Sequence, residues 1–426
     1  MNLLFKNIHI ISPSDKLSLR TDLLIQNGYI SFIGQLNNIP DNVDVIDSNS
    51  LTCIPGLFDM HVHFRDPGQE NKEDLNTGSL AAANGGFTGV LTMPNTLPPV
   101  DNEKTIKYII EKSSDYLTDI YPSACATKNR LGIEISEIKN LIDSGAIAFT
   151  DDGNGVQDSE VMKNVFEKTS EYGIVFAQHC EDIHLASEGY LNEGYLSRKL
   201  NIKGIPCKSE TAMISRDLFL MQHFKNSKYH IQHISCGDSI DIIRQAKAKN
   251  IKITSEVCPH HFILADSECE GMNTNFKMNP PLRSENDITK LLQALKEDTI
   301  DVICSDHAPH TIEEKSMKFD RAPFGIIGLE TSVGLAYTYL VKTGVISFEN
   351  MVTKMSINPR KILKLKEIRI QTGEPANLTI LSLNDKWKID KNKFKSKGRN
   401  TPFNDFEVYC KPFAVVNKNK IFYSDL

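Results

Sequence analysis

A chain of 426 residues, 40% hydrophobic and 24% charged, has room for one large core with a satellite or for two to three ordinary domains. A net charge of −6 and a pI near 6.1 give no electrostatic reason to expect nucleic acid, so small-molecule chemistry is the expectation. Nine scattered cysteines without a CxxC pair, no signal-type N-terminus and no run of eighteen apolar residues imply reduced thiols, a cytoplasmic setting and no membrane span.

Residues 1 to about 53 read as short strands broken by turns: Leu3 to Ile11, a turn at Ser12-Pro13-Ser14-Asp15, then Asp22 to Gln26, Tyr29 to Gly34 and Val43 to Asp47. The apolar run Leu51 to Phe58 leads into Asp59-Met60-His61-Val62-His63, the first of eight β-rich runs that alternate with helix-like segments. The others are Gly86 to Asn95, Asp119 to Ala126, Ala146 to Gly153, Ile174 to Asp182, Tyr229 to Ser235, Ile251 to His261 and Thr299 to His310, with a helix over Ser159 to Tyr172 before the fifth. Asp320 to Leu365 reads as barrel-closing helices, Gly373 to Leu381 opens a second β-rich segment, and the lysine-rich stretch Lys386 to Lys397 reads as solvated surface.

Eight strands separated by helices predict a (β/α)8 TIM barrel over residues 54–370, with a small composite β domain built from 1–53 and 371–426. In such barrels the catalytic groups cluster at the C-terminal ends of the strands, and at least six of these runs finish in His, Asp or Asn after an apolar body. On a strand, residues two apart share a face, so His61 and His63 can reach one ion. The other candidates are Asp151 or Asp152, His179, His233 and Asp306. Two metals of tetrahedral or five-coordinate type need three or four ligands each, and one carboxylate can bridge them. Any one of these histidines alone reads as packing; the set at one barrel mouth points to metal. His184, His223, His230 and His307 fall off the pattern and read as surface or packing residues. His260 and His261 are adjacent, so at most one could face the mouth, and both read as structural.

The motifs His61-Val62-His63-Phe64-Arg65-Asp66-Pro67-Gly68, Met93-Pro94-Asn95-Thr96, Thr150-Asp151-Asp152-Gly153, His179-Cys180-Glu181-Asp182, Lys277-Met278-Asn279-Pro280-Pro281-Leu282-Arg283, Ser305-Asp306-His307-Ala308-Pro309-His310 and Pro323-Phe324-Gly325 run in this order across the predicted barrel. In them the chain resembles the class I, bacterial-type dihydroorotases of the amidohydrolase superfamily. The resemblance implies two Zn2+ ions, one held by His61, His63 and Asp306 and the other by His179 and His233. The bridging acid of this type lies 27 positions before the fifth-strand histidine, which selects Asp152 over Asp151. It further implies that Arg65, Asn95, Asn279 and His310 bind substrate, with Phe324 and Gly325 offering backbone groups. Cys236 and Cys258 stand where threonine is common in the family, and neither is among the implied ligands.

The implied reaction is the reversible cyclisation of N-carbamoyl-L-aspartate to L-dihydroorotate in pyrimidine synthesis, with Asp306 moving the proton. Arg65 is a planar fork suited to a substrate carboxylate; an ion pair with Asp66 is its structural alternative. The competing readings are a hydantoinase- or allantoinase-like cyclic amidase and a non-catalytic scaffold. The resemblance also implies a homodimer and allows association with an aspartate transcarbamoylase. The loop that closes over substrate is placed at Ala308 to Phe324.

Overall fold

The computed structural model describes all residues, Met1 to Leu426. Its eight-stranded flanking sheet takes strands from both ends of the chain, in the order Lys420–Tyr423, Glu407–Asn417, Leu378–Lys388, Thr52–Pro55, Asn2–Ser12, Leu17–Gln26 and Tyr29–Gly34, with Asp44–Asp47 beside Asn2–Ser12. The junction between the two ends is antiparallel, with Ile54 opposite Thr379. Alternating residues such as Phe5, Ile10, Leu23, Ile25, Leu378 and Val416 bury one face in a separate apolar cluster. At the Gln26/Tyr29 hairpin, Asn27 and Gly28 both take positive φ (52° and 82°), the pair a two-residue turn of the right twist requires.

The apolar run Leu51 to Phe58 is not one strand. It breaks at Gly56, which hands the chain from Thr52–Pro55 of the flanking sheet to Leu57–Val62 of the barrel. Only glycine fits there: a Cβ would lie 2.0 Å from Asn377 Oδ1 and 2.2 Å from Thr88 Oγ1.

The barrel strands are Leu57–Val62, Phe87–Thr92, Asp119–Ala124, Ala148–Phe149, Val175–Gln178, Lys228–Ile231, Ile253–Val257 and Val302–Ile303, paired in sequence order and parallel. The first and last meet through a parallel bridge of Val62 with His307, where the His63 amide donates to His307 O at 2.8 Å. Strands buried on both faces read as continuous apolar runs, which is why all eight are visible in the sequence. Helices pack outside them. Ser159–Tyr172 is capped by Asp158, whose carboxylate accepts from the Glu160 and Val161 amides, and is closed by Gly173 in the left-handed region. Glu285–Lys296 starts with a Ser284/Asp287 capping box.

One further expectation needs correction and another needs refinement. Asp320 to Thr331 is loop, and helix begins only at Ser332. The lysines of the lysine-rich stretch are exposed or half-buried as expected, but Phe394 and Ser396 between them are buried, and Lys397 pairs with Asp74. No helix is long and apolar enough to cross a membrane.

Candidate metal centre and substrate pocket

The first strand delivers His61 at its end and His63 just beyond it. Asp59 fixes this end against the eighth strand, accepting from the His61 amide at 3.0 Å and from the Ser305 amide with both oxygens (3.2 and 3.0 Å). That brings His61 and Asp306 to the same point.

Each imidazole is turned by a partner behind it. His61 Nδ1–H donates to Glu256 Oε1 at 2.7 Å and His63 Nδ1–H to Asn95 Oδ1 at 2.8 Å, which leaves both Nε2 lone pairs facing inward. Asp152 is set by its amide donating to Thr150 Oγ1 (3.0 Å) and by Arg130 donating to its carbonyl (2.7 Å). Asp151, the alternative acid, points away and accepts from the Thr127 amide and hydroxyl.

The resulting cluster is buried. His61 Nε2 lies 3.4 Å from Asp152 Oδ1 and 3.5 Å from Asp306 Oδ1; His63 Nε2 lies 3.4 Å from Asp152 Oδ2 and 3.1 Å from Asp306 Oδ1. On the other side His179 Nδ1 and His233 Nε2 stand 3.7 and 3.6 Å from Asp152 Oδ1 and 2.9 Å from each other. Asp152 thus belongs to two groups that could each hold a metal ion, with His61 and His63 and with His179 and His233. Burial alone would raise its carboxyl, but the surrounding imidazoles together hold it well below the usual carboxylate range.

These donors fit divalent cations. His61 Nε2 and Asp152 Oδ1 are buried without a hydrogen-bond partner, and imidazole nitrogens and carboxylate oxygens converging on one buried point are the donor set that a divalent cation takes. His233 (φ 27°) and Asp306 (φ 48°) also take left-handed backbone angles that non-glycine residues avoid, strain of the kind that gathers at functional sites.

Above the cluster a cavity of about 220 Å³ is lined by His63, Arg65, Asn95, Asp152, His179, His233, Asn279, Asp306, His310, Phe324 and Gly325, with Gly153 and Ala308. Of the residues expected at the site, only His61 lies behind this surface. A larger cavity of about 630 Å³, beside Ser14, Arg360 and Lys361, is at the opposite end of the strands, where barrels of this type do not place their chemistry.

Arg65 is buried and makes no ion pair with Asp66, whose carboxylate is taken by Lys112 Nζ (2.7 Å), Tyr108 OH (2.8 Å) and the Leu75 amide (3.1 Å). Its Nε donates to Pro309 O at 3.4 Å, and burial lowers its pKa to about 10, which leaves it charged at neutral pH. Burial, with Arg65 and two lysines nearby, lowers His310 to about 3; the neutral ring donates from Nε2 to Phe324 O at 2.8 Å.

Several residues were not visible as site components in the sequence. Glu256 fixes His61 and also lies 3.1 Å from His230 Nε2. Asn400 donates to Ala308 O (3.0 Å) and Gly325 O (3.1 Å) and accepts from the His310 amide, tying the C-terminal segment to the pocket wall. A lone acid on the inward phase of an apolar strand was the one available signal for Glu256; Asn400 offered none. His260 and His261 sit on a short helix, Pro259–Ile263, both buried, with His261 Nε2 donating to Pro280 O at 3.0 Å.

A barrel with this mouth is that of a metal-dependent, amidohydrolase-type enzyme acting on cyclic amides. Solved structures share the fold: an L-hydantoinase from Arthrobacter aurescens (TM-score 0.86, 23% identity, 99% of this chain and 96% of that one) and a D-hydantoinase from Thermus sp. (TM-score 0.84, 25% identity, 99% and 95%). A family model described as dihydro-orotase-like matches residues 51–239. Curated relatives named dihydroorotase are 44% identical in Ruminiclostridium cellulolyticum (97% of this chain, 96% of the relative), 42% in Acetivibrio thermocellus (98% and 98%) and 45% in Elusimicrobium minutum (95% and 93%). The chain belongs to the dihydroorotase family.

Proposed function

We propose that this enzyme is a dihydroorotase that interconverts N-carbamoyl-L-aspartate and L-dihydroorotate in pyrimidine synthesis, using two zinc ions bridged by Asp152. His61, His63 and Asp306 would hold one ion and His179 and His233 the other. When bound, such ions polarise a carbonyl and bring the pKa of a water from about 16 toward about 7. The observation that carries the reading is Arg65: a buried guanidinium without an acidic partner, on the same small cavity as the metal-type cluster, calls for an anionic substrate.

Arg65 would grip the substrate carboxylate, and Asn95 Nδ2 and Asn279 would hold it from the sides, Asn95 Oδ1 being occupied by His63. The Phe324–Gly325 backbone would meet the ring amides. Asp306 would take a proton from the attacking water on one carboxylate oxygen and return it to the ring nitrogen as the C–N bond breaks; closure runs the same transfers backwards. A hydantoin-type substrate lacks the carboxylate that Arg65 would bind. A scaffold would not need the complete ligand set.

The expected division into a barrel over 54–370 and a composite domain from 1–53 and 371–426 moves at its first boundary to Gly56, because Ile54 and Pro55 pair with Thr379 and Leu378 in the flanking sheet. On family membership the reading extends to a cytoplasmic homodimer able to associate with an aspartate transcarbamoylase, which light scattering and co-elution would test. Dihydroorotate and dihydrouracil, rings differing in the carboxylate, test the substrate: dihydroorotate should be hydrolysed with kcat/KM at least 100-fold higher, and equal or reversed preference would overturn the assignment.

A further inference from the structure

The loop from Ala308 to Gly325 places His310, Phe324 and Gly325 on the pocket, yet its only regular element is the four-residue turn of helix Ile312–Lys315. Its inward carbonyls converge on two ammonium groups. Lys277 Nζ donates to Phe319 O (2.5 Å) and Ala322 O (2.6 Å) and lies over the ring of Phe324, 4.6 Å from its centroid. Lys315 Nζ donates to Gly325 O (2.9 Å) and Pro323 O (3.0 Å), and the Gly325 amide returns a bond to Lys277 O at 3.0 Å.

Neither lysine has a carboxylate partner, although both are buried: the neighbouring Glu314 is paired with Lys72 instead. Burial lowers Lys277 to about 8 and Lys315, which also faces Lys277, to about 7. Two buried amino groups without an acidic partner are a standing cost, and an apolar side chain of similar length would fill the same space without it. What the amino groups supply, and an apolar chain could not, is a set of directed bonds to four carbonyls, those of Phe319, Ala322, Pro323 and Gly325, in a loop that has no ladder of its own. Lys277 is also two positions from Asn279, so the pair joins the two walls of the pocket.

From this we infer that Lys277 and Lys315 are positioning residues that hold the Phe324–Gly325 backbone in its substrate-binding form. The inference rests on the substrate reading given above. In Lys277→Gln and Lys315→Gln, KM for dihydroorotate should rise at least tenfold with kcat within about threefold and metal content unchanged. In Lys315→Ala, butylammonium chloride should restore at least part of KM where sodium chloride at equal ionic strength does not. An unchanged KM, or parallel loss of kcat, metal and thermal stability, would overturn it. Should the variants fail to fold, hydrogen exchange in the wild type decides: the Gly325 amide protected without substrate supports the clamp, and exchange at the rate of an open loop refutes it. That measurement stands even if the wild type proves inactive on dihydroorotate, which would sink the substrate reading instead.

Discussion

Glu256 Oε1 accepts the Nδ1 proton of His61 at 2.7 Å, so a buried carboxylate fixes which nitrogen of that histidine faces the metal-type cluster. Such partners raise ligand basicity and hold ring orientation, and losing one typically costs 10- to 100-fold in metal affinity. Glu256→Leu should therefore lose metal to a competing chelator at roughly tenfold lower chelator concentration than wild type. Unaltered retention, read by elemental analysis, would rule out this role.

Arg65→Met removes the only guanidinium on the cavity wall. Hydrogen bonds to charged groups are worth about 1.5–3 kcal/mol, so kcat/KM for dihydroorotate should fall by roughly 10- to 150-fold. Any residual turnover of dihydrouracil should be unaffected, since that ring has no carboxylate to lose. A similar loss on both substrates would mean that Arg65 supports the loop and not the ligand.

Adjacent aspartates should separate cleanly. Asp152 faces four imidazoles, whereas Asp151 is bonded to Thr127. Asp152→Asn should abolish binding of at least one metal equivalent; Asp151→Asn should keep full metal content and lose about 1–3 kcal/mol of stability through the unsatisfied Thr127 groups. The reverse pattern in metal analysis would move the bridge to Asp151.

Glu330 gives a pH signature away from the metal. It is buried and accepts from Asn84 Nδ2 (2.6 Å) and from the Lys395 amide (2.7 Å), and burial raises its carboxyl from an ordinary 4.5 to about 7. Below pH 4.5 folded and unfolded chains both hold the proton; between about 4.5 and 7 only the folded one does, so stability falls as pH rises through that window and levels above it. The gap corresponds to about 3 kcal/mol at most. Glu330→Gln lacks the titration, so its stability relative to wild type should improve by up to that amount between pH 4.5 and 7.5. Parallel denaturant midpoints at both pH values would contradict it.

The barrel could be read in the sequence because its strands are buried on both faces and end in polar residues in one phase, as at His61, His179, His233 and Asp306. The break at Gly56 could not, because the run Leu51 to Phe58 stays apolar through it while its two halves pack in different sheets. Nor could the loop from Asp320 to Thr331 be told from helix by apolar content alone. Glu256 is 195 positions from His61, and the carbonyls that meet Lys277 and Lys315 carry no sequence signature. The residues that face the cavity were legible; those that hold them in place were mostly not, since their partners lie far along the chain or in the backbone.

The most direct test is dihydroorotate hydrolysis, followed in the ultraviolet, by metal-analysed wild type and by Asp306→Asn. Wild type carrying two metal equivalents should turn dihydroorotate over, and an Asp306→Asn protein that still holds metal should lose at least about 10²-fold in kcat. Metal-loaded wild type without turnover would contradict the assigned reaction, and an Asp306→Asn variant with metal and near-normal kcat would contradict the assigned proton carrier.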